Sequence, residues 1–340
     1  MKKVSIKDVA LKAGVSIASV SYVLNNRTDS RIGKETIDKV RKAADELNYR
    51  PNNIAKSLKT QRTFTIGLIV ADIANPFFSQ IARIIEDEAK KKGYTLIIGS
   101  SDENNEKFES LIELFSDRQV DGLIIAPVEN SELYMEKIIR QKIPFVFIDR
   151  YLENVKASGI RINNYDISFA ATEHLIAGGR KNIVLVAYNT TLPHLTERTL
   201  GFTDALKKHD LAFNDASVIS VNINSIDADI DFALTTLLND NNKPDALFFT
   251  SNKLAVSGLK NLMKRTVKIP EDIAVIAFDE TEAYELFSQS VSYIRQPLAE
   301  IGKEALKQLH LKIEDPSAPV ANIVVDASLH IGQTSNPKTP

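Results

Sequence analysis

Ala18, Ser21, Tyr22 and Asn25 share one face of a short helical pattern, while Val20, Val23 and Leu24 repeat at i, i+3 and i+4 on the other. With the apolar set turned inward, a methyl, a hydroxyl, a phenol and an amide point out together, and Ile17 lies on the flank of the first turn. Such groups pack and hydrogen-bond; they do not make or break bonds. The residue types that do bond chemistry are present elsewhere but not assembled. The five histidines (His174, His194, His209, His310 and His330) lack metal-ligand spacing, and no cysteine supplies a thiolate, a metal ligand or a disulfide. There is no GxGxxG after a strand pattern, no GxxxxGK[ST], no HExxH and no GxSxG. No catalytic residue, metal or cofactor is therefore assigned. His194, in a loop after an apolar strand, can line a cleft, although the surface is the commoner place for such a histidine.

The elements around that exposed face are short and capped. Ser5, three residues before Asp8, can cap a helix whose apolar residues are Ile6, Val9 and Ala10. Gly14 supplies the backbone freedom for a tight turn. Ser16 is the expected N-cap of the second helix. A third helical pattern carries Ile37, Val40, Ala44 and Leu47. Three such helices bury a small shared core and leave the second exposed for a DNA major groove. Periodicity alone fits a helical hairpin with no nucleic-acid role equally well; charge separates the two. Residues 1–62 hold 14 Lys and Arg against 6 Asp and Glu, a net of +8 in a chain of formal charge −2. Residues 63–340 hold 28 basic and 38 acidic residues, about −10. A basic head matches phosphates through counterion release, and an acidic body is repelled by DNA.

The length of 340 residues allows two or three domains. No apolar run approaches the ~20 residues of a membrane span, and the N-terminus lacks the apolar stretch of a secretory signal, so a cytoplasmic location is expected. From Phe64 the pattern changes. Apolar β-rich runs at 64–71, 94–100, 121–127 and 143–149 alternate with amphipathic stretches at 76–92, 104–118 and 131–141. After Gly159-Ile160-Arg161-Ile162 the alternation restarts: helix 165–178, strand 182–187, helix 197–209, strand 217–222, helix 226–239, strand 245–250, helix 253–264 and strand 272–279. Near-continuous apolar strands between helices signal a parallel sheet covered on both faces. The expected fold is an all-α helix-turn-helix head plus an α/β two-lobed body of two successive doubly wound parallel sheets. Ligands would sit in the cleft at the C-terminal strand ends. The polar tail from Gln333 has no heptads, which favours a dimer over a higher assembly.

Over essentially its full length the chain resembles the lactose-repressor-type (LacI/GalR) transcription regulators, whose body is periplasmic-binding-protein-like. The resemblance rests on IKDVALKAGVSIASVSYVLN, YRPNNIAKSL, IGLIVADIANPFF, VDGLII, IPFVFIDR, ERTLGF, IPEDIAVIAFDE and IRQPLAEIG, in that order. It implies a head at 1–50, a hinge helix and linker at 51–62, and an effector-binding and dimerisation body at 63–340. It implies that Ile17, Ala18 and Tyr22 meet base edges, the first two through apolar contact suited to thymine methyls. Ser16, Ser19, Ser21 and Asn25 look like positioning residues for phosphates. Tyr49 and Asn52 match the phosphate-contacting end of the head. Residues 53–58 are similar to the family's hinge helix, with Leu58 as the minor-groove wedge, Ala55 small enough for close approach, and Lys56 where an arginine is common. So short a helix is unstable alone and is expected to form when two copies pack on a roughly palindromic operator in double-stranded DNA.

In the cleft the resemblance implies a small-molecule effector, a sugar or sugar derivative. Phe77 and Phe78 resemble an aromatic wall, one of the pair being expected in the core. Asp149, Arg150, Arg198, Asn252, Asp279 and Gln296 fall at hydrogen-bonding positions, with Asp102 a further candidate at a strand end. Two departures stand out. Lys253 follows Asn252 where the family has an acid, and Asn163-Asn164 replaces Asp-Asn. Both point toward a negatively charged or modified sugar. The implied function is a homodimeric, effector-controlled repressor and not an enzyme. The alternatives are a two-lobed sugar-processing enzyme, a solute-binding protein of the transport type, and a regulator whose partner is a coactivator protein.

Overall fold

The computed structural model describes residues 4–24, 32–49, 62–239 and 243–337. The chain divides into two compact units, Met1–Thr63 and Phe64–Pro340. In the first unit three helices, α1 (Ile6–Ala13), α2 (Ile17–Leu24) and α3 (Lys34–Glu46), surround a core of Val9, Ala10, Val20, Val23, Val40, Ala43 and Ala44. Asp8 Oδ2 accepts the backbone N–H of Ser5 at 2.8 Å and its hydroxyl at 2.7 Å, anchoring the start of α1. Gly14 has φ 66°, the left-handed conformation that turns the chain toward α2. Ser16 caps α2 by accepting the N–H of Ser19 at 3.0 Å.

The second unit is two lobes. The first lobe takes β1 (Thr65–Val70), α4 (Pro76–Lys91), β2 (Thr95–Ser100), α5 (Asn105–Asp117), β3 (Gly122–Ile125), α6 (Glu132–Arg140), β4 (Phe145–Ile148) and β5 (Ser158–Ile162). The second takes α7 (Asn164–Ala177), β6 (Ile183–Tyr188), α8 (Pro193–Lys208), β7 (Val218–Val221), α9 (Ile226–Asn239), β8 (Ala246–Phe249), α10 (Asn252–Lys264), β9 (Ala274–Phe278) and β10 (Ser292–Arg295). The chain then returns. Helix α11 (Leu298–Glu314) packs on α4, and β11 (Asn322–Val325) pairs with β5, both in the first lobe. Strand β12 (Ser328–His330) crosses back and pairs antiparallel with β10. The strand orders are β11-β5-β4-β3-β1-β2 and β12-β10-β9-β8-β6-β7.

The two-sheet architecture matches the sequence reading, but the lobes are not successive. Strand β5 lies in the first sheet between β4 and β11, and the elements after Asp279 complete both lobes. The chain therefore passes between lobes at 162–164, 295–298 and 325–328. Asn163, in the first crossing, accepts the N–H of Ala327, in the third, at 2.9 Å. A neutral amide suffices for that bond. Central strands β3, β8 and β9 are buried at every position, as sheets covered on both faces require, whereas the edge strands β2 and β7 are only partly covered. Among the described residues no helix is long and apolar enough to cross a membrane.

Candidate functional sites

On the head, Ile17 and Tyr22 are 44% and 46% exposed and Ala18 is exposed beside them. Two large side chains left out of a small core, Ile17 at the start of α2 and Tyr22 in its second turn, leave this side of the helix free for contact. Ser16 is exposed as well, but its oxygen is already the cap of α2 and lies 2.9 Å from the Ser19 hydroxyl. Ser19 and Ser21 are half-buried at the edge of the face. Tyr49 packs against the head core, and burial pushes its phenol up. Asn25, Asn52, Ala55, Lys56 and Leu58, and with them the hinge helix, lie outside the described residues.

In the body a cavity of about 290 Å³ opens where the C-terminal ends of β1, β4, β6 and β9 face one another. The two lobes contribute equivalent aspartates. Asp149 follows β4 with φ 62°, and Asp279 follows β9 with φ 66°. Each uses its backbone N–H on a neighbouring strand, Asp149 on Ile160 O at 2.9 Å and Asp279 on Ile294 O at 3.0 Å. This left-handed turn aims both carboxyls into the cavity. Burial pushes Asp149 up to about 6, against the pull of Arg150 and Arg198. Burial also raises Asp279, against Arg198 and the hydrogen bond from Gln296 Nε2 at 2.6 Å.

The cations are held by protein contacts. Arg198 donates from Nε to Asn164 Oδ1 at 2.8 Å and from Nη1 to Thr250 O at 2.7 Å, with its guanidinium 3.5 Å from the Phe278 ring centroid. Burial lowers its pKa, offset in part by Asp279 and Asp149. Its Nη2 end is what remains for a ligand. Arg150 makes a bidentate pair with Glu103 at 2.6 and 2.7 Å. Burial opposes that charge, but Glu103, with Asp149 and Tyr188, holds the guanidinium pKa above its usual value. Phe77 and Phe78 meet edge to face at 4.9 Å, and Arg150 lies over the Phe78 ring. Both are buried in the core and both border the cavity.

Two placements, those of Asn252 and His194, differ from the sequence reading, and Asp102 lines the cavity but is already engaged. Asn252 is not among the lining residues; it is 2% exposed, and its Nδ2 donates to Asn75 Oδ1 at 2.9 Å. Asp102 lines the rim, but Lys107 at 2.6 Å and Ser100 at 2.6 Å already occupy it. His194, expected on the surface, is 3% exposed and lines the cavity with Nδ1 unpartnered. Burial, then Arg150 and Arg198, hold it well below the usual imidazole range, so it is neutral at physiological pH. Sequence reasoning also missed Glu103, Glu129 and Tyr188. Glu103 stands one residue after the flagged Asp102, and that adjacency was the only available signal. The Tyr188 phenol is pushed up to about 12, mainly by burial. Glu129 accepts the N–H and hydroxyl of Thr191, joining the lobes.

A helix-turn-helix head and a two-lobed, periplasmic-binding-like body with a polar cavity define a DNA-binding transcription regulator. Comparison with known proteins agrees. Residues 5–52 match the family described as bacterial regulatory proteins, lacI family, and residues 172–335 match the periplasmic binding protein-like domain. The chain is 33% identical over 312 residues to the HTH-type transcriptional repressor PurR of Vibrio campbellii, covering 92% of each chain. It is 30% identical to catabolite control protein A of Priestia megaterium, over 90% of this chain and 91% of that one. The chain belongs to the lacI family of bacterial regulatory proteins. Its relatives are named as repressors and regulators, not enzymes. Its fold is that of the lac repressor dimer solved bound to operator and the anti-inducer ONPF, with a TM-score of 0.83, 23% identity, and coverage of 98% of this chain and 100% of that one.

Proposed function

We propose that this regulator is a repressor whose grip on a roughly palindromic operator is set by a small uncharged polyol bound between the lobes. The observation that carries this is the cavity itself: buried carboxyls, a guanidinium with a spare edge and an unpartnered imidazole nitrogen, converging beside two phenylalanine rings. Fixed donors and acceptors with an apolar platform are what polyol recognition needs. An anionic sugar loses its support. Lys253, the reason for expecting one, is engaged by Asp72. Of the carboxyls that line the cavity, Asp72, Asp102 and Glu103 are paired with Lys253, Lys107 and Arg150, which leaves Glu129, Asp149 and Asp279 facing Arg198, so an added anion gains little. In the head, Ile17, Ala18 and Tyr22 supply the base-edge contact, while Ser16, Ser19, Ser21 and Tyr49 set register against phosphates. Asn25, Asn52, Ala55, Lys56 and Leu58 complete the DNA contact by resemblance. The protein acts as a homodimer in the cytoplasm, where it meets DNA.

The test selects duplexes from a random pool with the full-length protein. The selected site is then titrated by fluorescence anisotropy with and without neutral sugars, sugar phosphates and uronic acids that shift the melting temperature. A selected inverted repeat, with affinity altered by a neutral sugar, is the expected result. No preference over random competitor overturns the DNA reading; a response to uronic acids alone overturns the ligand class.

A further inference from the structure

Asn252 and Lys253 open α10 in the second lobe, and both reach across to the first. Asn252 Nδ2 donates to Asn75 Oδ1 at 2.9 Å, and Lys253 pairs with Asp72 Oδ2. Asn75 is also the N-cap of α4, its Oδ1 accepting the N–H of Phe77 at 3.1 Å. One oxygen thus serves the helix that carries Phe77 and Phe78 and the bond that joins the lobes. The Asp72 loop is tied on its own side, Asp72 Oδ1 accepting the N–H of Ala74 at 2.9 Å. Lys253 borders the cavity, and its side chain is 38% exposed against 18% for Asp72.

We propose that Asn252 and Lys253 are positioning residues: they hold the lobes together at this seam and set the pose of the Phe77–Phe78 wall through Asn75. This rests on reading the cavity as the effector site, but the device itself is a property of the empty protein. It gives the lysine at 253 a role that needs no contact with ligand. The charge-assisted pair resists separation of the lobes, and the amide bond makes that separation felt at the cap of α4. When the seam opens, α4 loses a fixed orientation of its cap, and the aromatic platform loses its register with Asp149 and Asp279.

Hydrogen–deuterium exchange on the full-length protein, without DNA or sugar, tests this. Lys253→Met and Asp72→Asn are each expected to speed exchange across residues 72–79 by about tenfold, with exchange in β3 and β8 unchanged. The doubly swapped Asp72→Lys, Lys253→Asp protein is expected to restore protection, and high salt to mimic the single variants in the parent. Unchanged exchange at 72–79 in both single variants overturns the proposal. So does failure of the swap to restore protection while its melting temperature matches the parent, because that outcome reduces Lys253 to a local packing residue. Because nothing but the empty protein is measured, these outcomes stand whatever becomes of the operator and ligand experiments.

Discussion

Asp149 and Asp279 are costly residues to hold where they are. Each is a carboxyl taken out of water on a left-handed turn, and each is raised by burial even though Arg198 lies between the lobes to oppose it. A carboxyl near 6 in the fold and about 3.9 in the unfolded chain is bound more tightly by its proton when folded. That stabilising contribution is complete below about pH 4 and is lost as pH rises through about 6. Above it the buried carboxylate costs on the order of 3 kcal/mol. Asn, a permanently neutral stand-in, removes that cost. Asp149→Asn is therefore expected to melt several degrees above the parent at pH 8, with the advantage gone by pH 4. A difference that does not change with pH would exclude Asp149 as the titrating group. The expense makes sense at a recognition site, where a ligand supplies the donors that the protein withholds.

At the scale of elements, the cavity depends on how closely helices pack behind it. Arg198 is presented by α8, which lies so near α7 that a Cβ on Gly201 would stand 2.3 Å from Tyr165 O and 3.0 Å from Phe169 N. Backbone atoms of a helix do not yield as a flexible side chain does. Gly201→Ala is expected to lower stability by roughly 2 kcal/mol or more and to shift Arg198 away from Asn164 Oδ1. Urea unfolding measures the first, and loss of the sugar-induced melting shift measures the second. Parent-like stability would mean that the two helices slide apart freely. In the head, packing works the other way. Val20 and Val23 fill the core and thereby force Ile17, Ala18 and Tyr22 outward. The exposed face is a by-product of an eight-residue helix having only one buried side.

For the whole molecule, charge is divided by domain, with the excess of Lys and Arg in residues 1–62 and the excess of Asp and Glu in the rest. Operator affinity should then fall steeply with salt, by roughly 10³-fold or more between about 50 and 200 mM for a dimer making six or more phosphate contacts. Sugar affinity of the body should barely change over the same range. Anisotropy and calorimetric titrations at matched salt separate the two; a shallow operator slope would mean that the basic head is not what meets the phosphates. Three crossings join the lobes, and two of them are tied by Asn163 and Ala327. Glu129 with Thr191 and Glu197 with Tyr151 and Arg161 bridge the lobes elsewhere.

Much of this was legible one segment at a time. The helices of the head and the buried strands follow from periodicity and caps, which are set by residues within a few positions of one another. Asp149, Arg150, Arg198, Asp279 and Gln296 are named by resemblance to a known family, and all five line the cavity. What the sequence could not settle is which distant group each side chain meets. The base at 253, where the family has an acid, points toward a charged sugar by local comparison, but Asp72, 181 positions away, engages it. Asn252 was read as a ligand contact, yet it faces Asn75, and His194 was read as exposed, yet two lobes close over it. Strands β10, β11 and β12 escape a local reading because a run of three or four residues carries little period of its own; only its pairing partner makes it a strand. Local pattern decided where the polar groups sit along the chain, and tertiary closure decided which of them are left unpaired for a ligand, because desolvation and long-range pairing act only once the lobes are together.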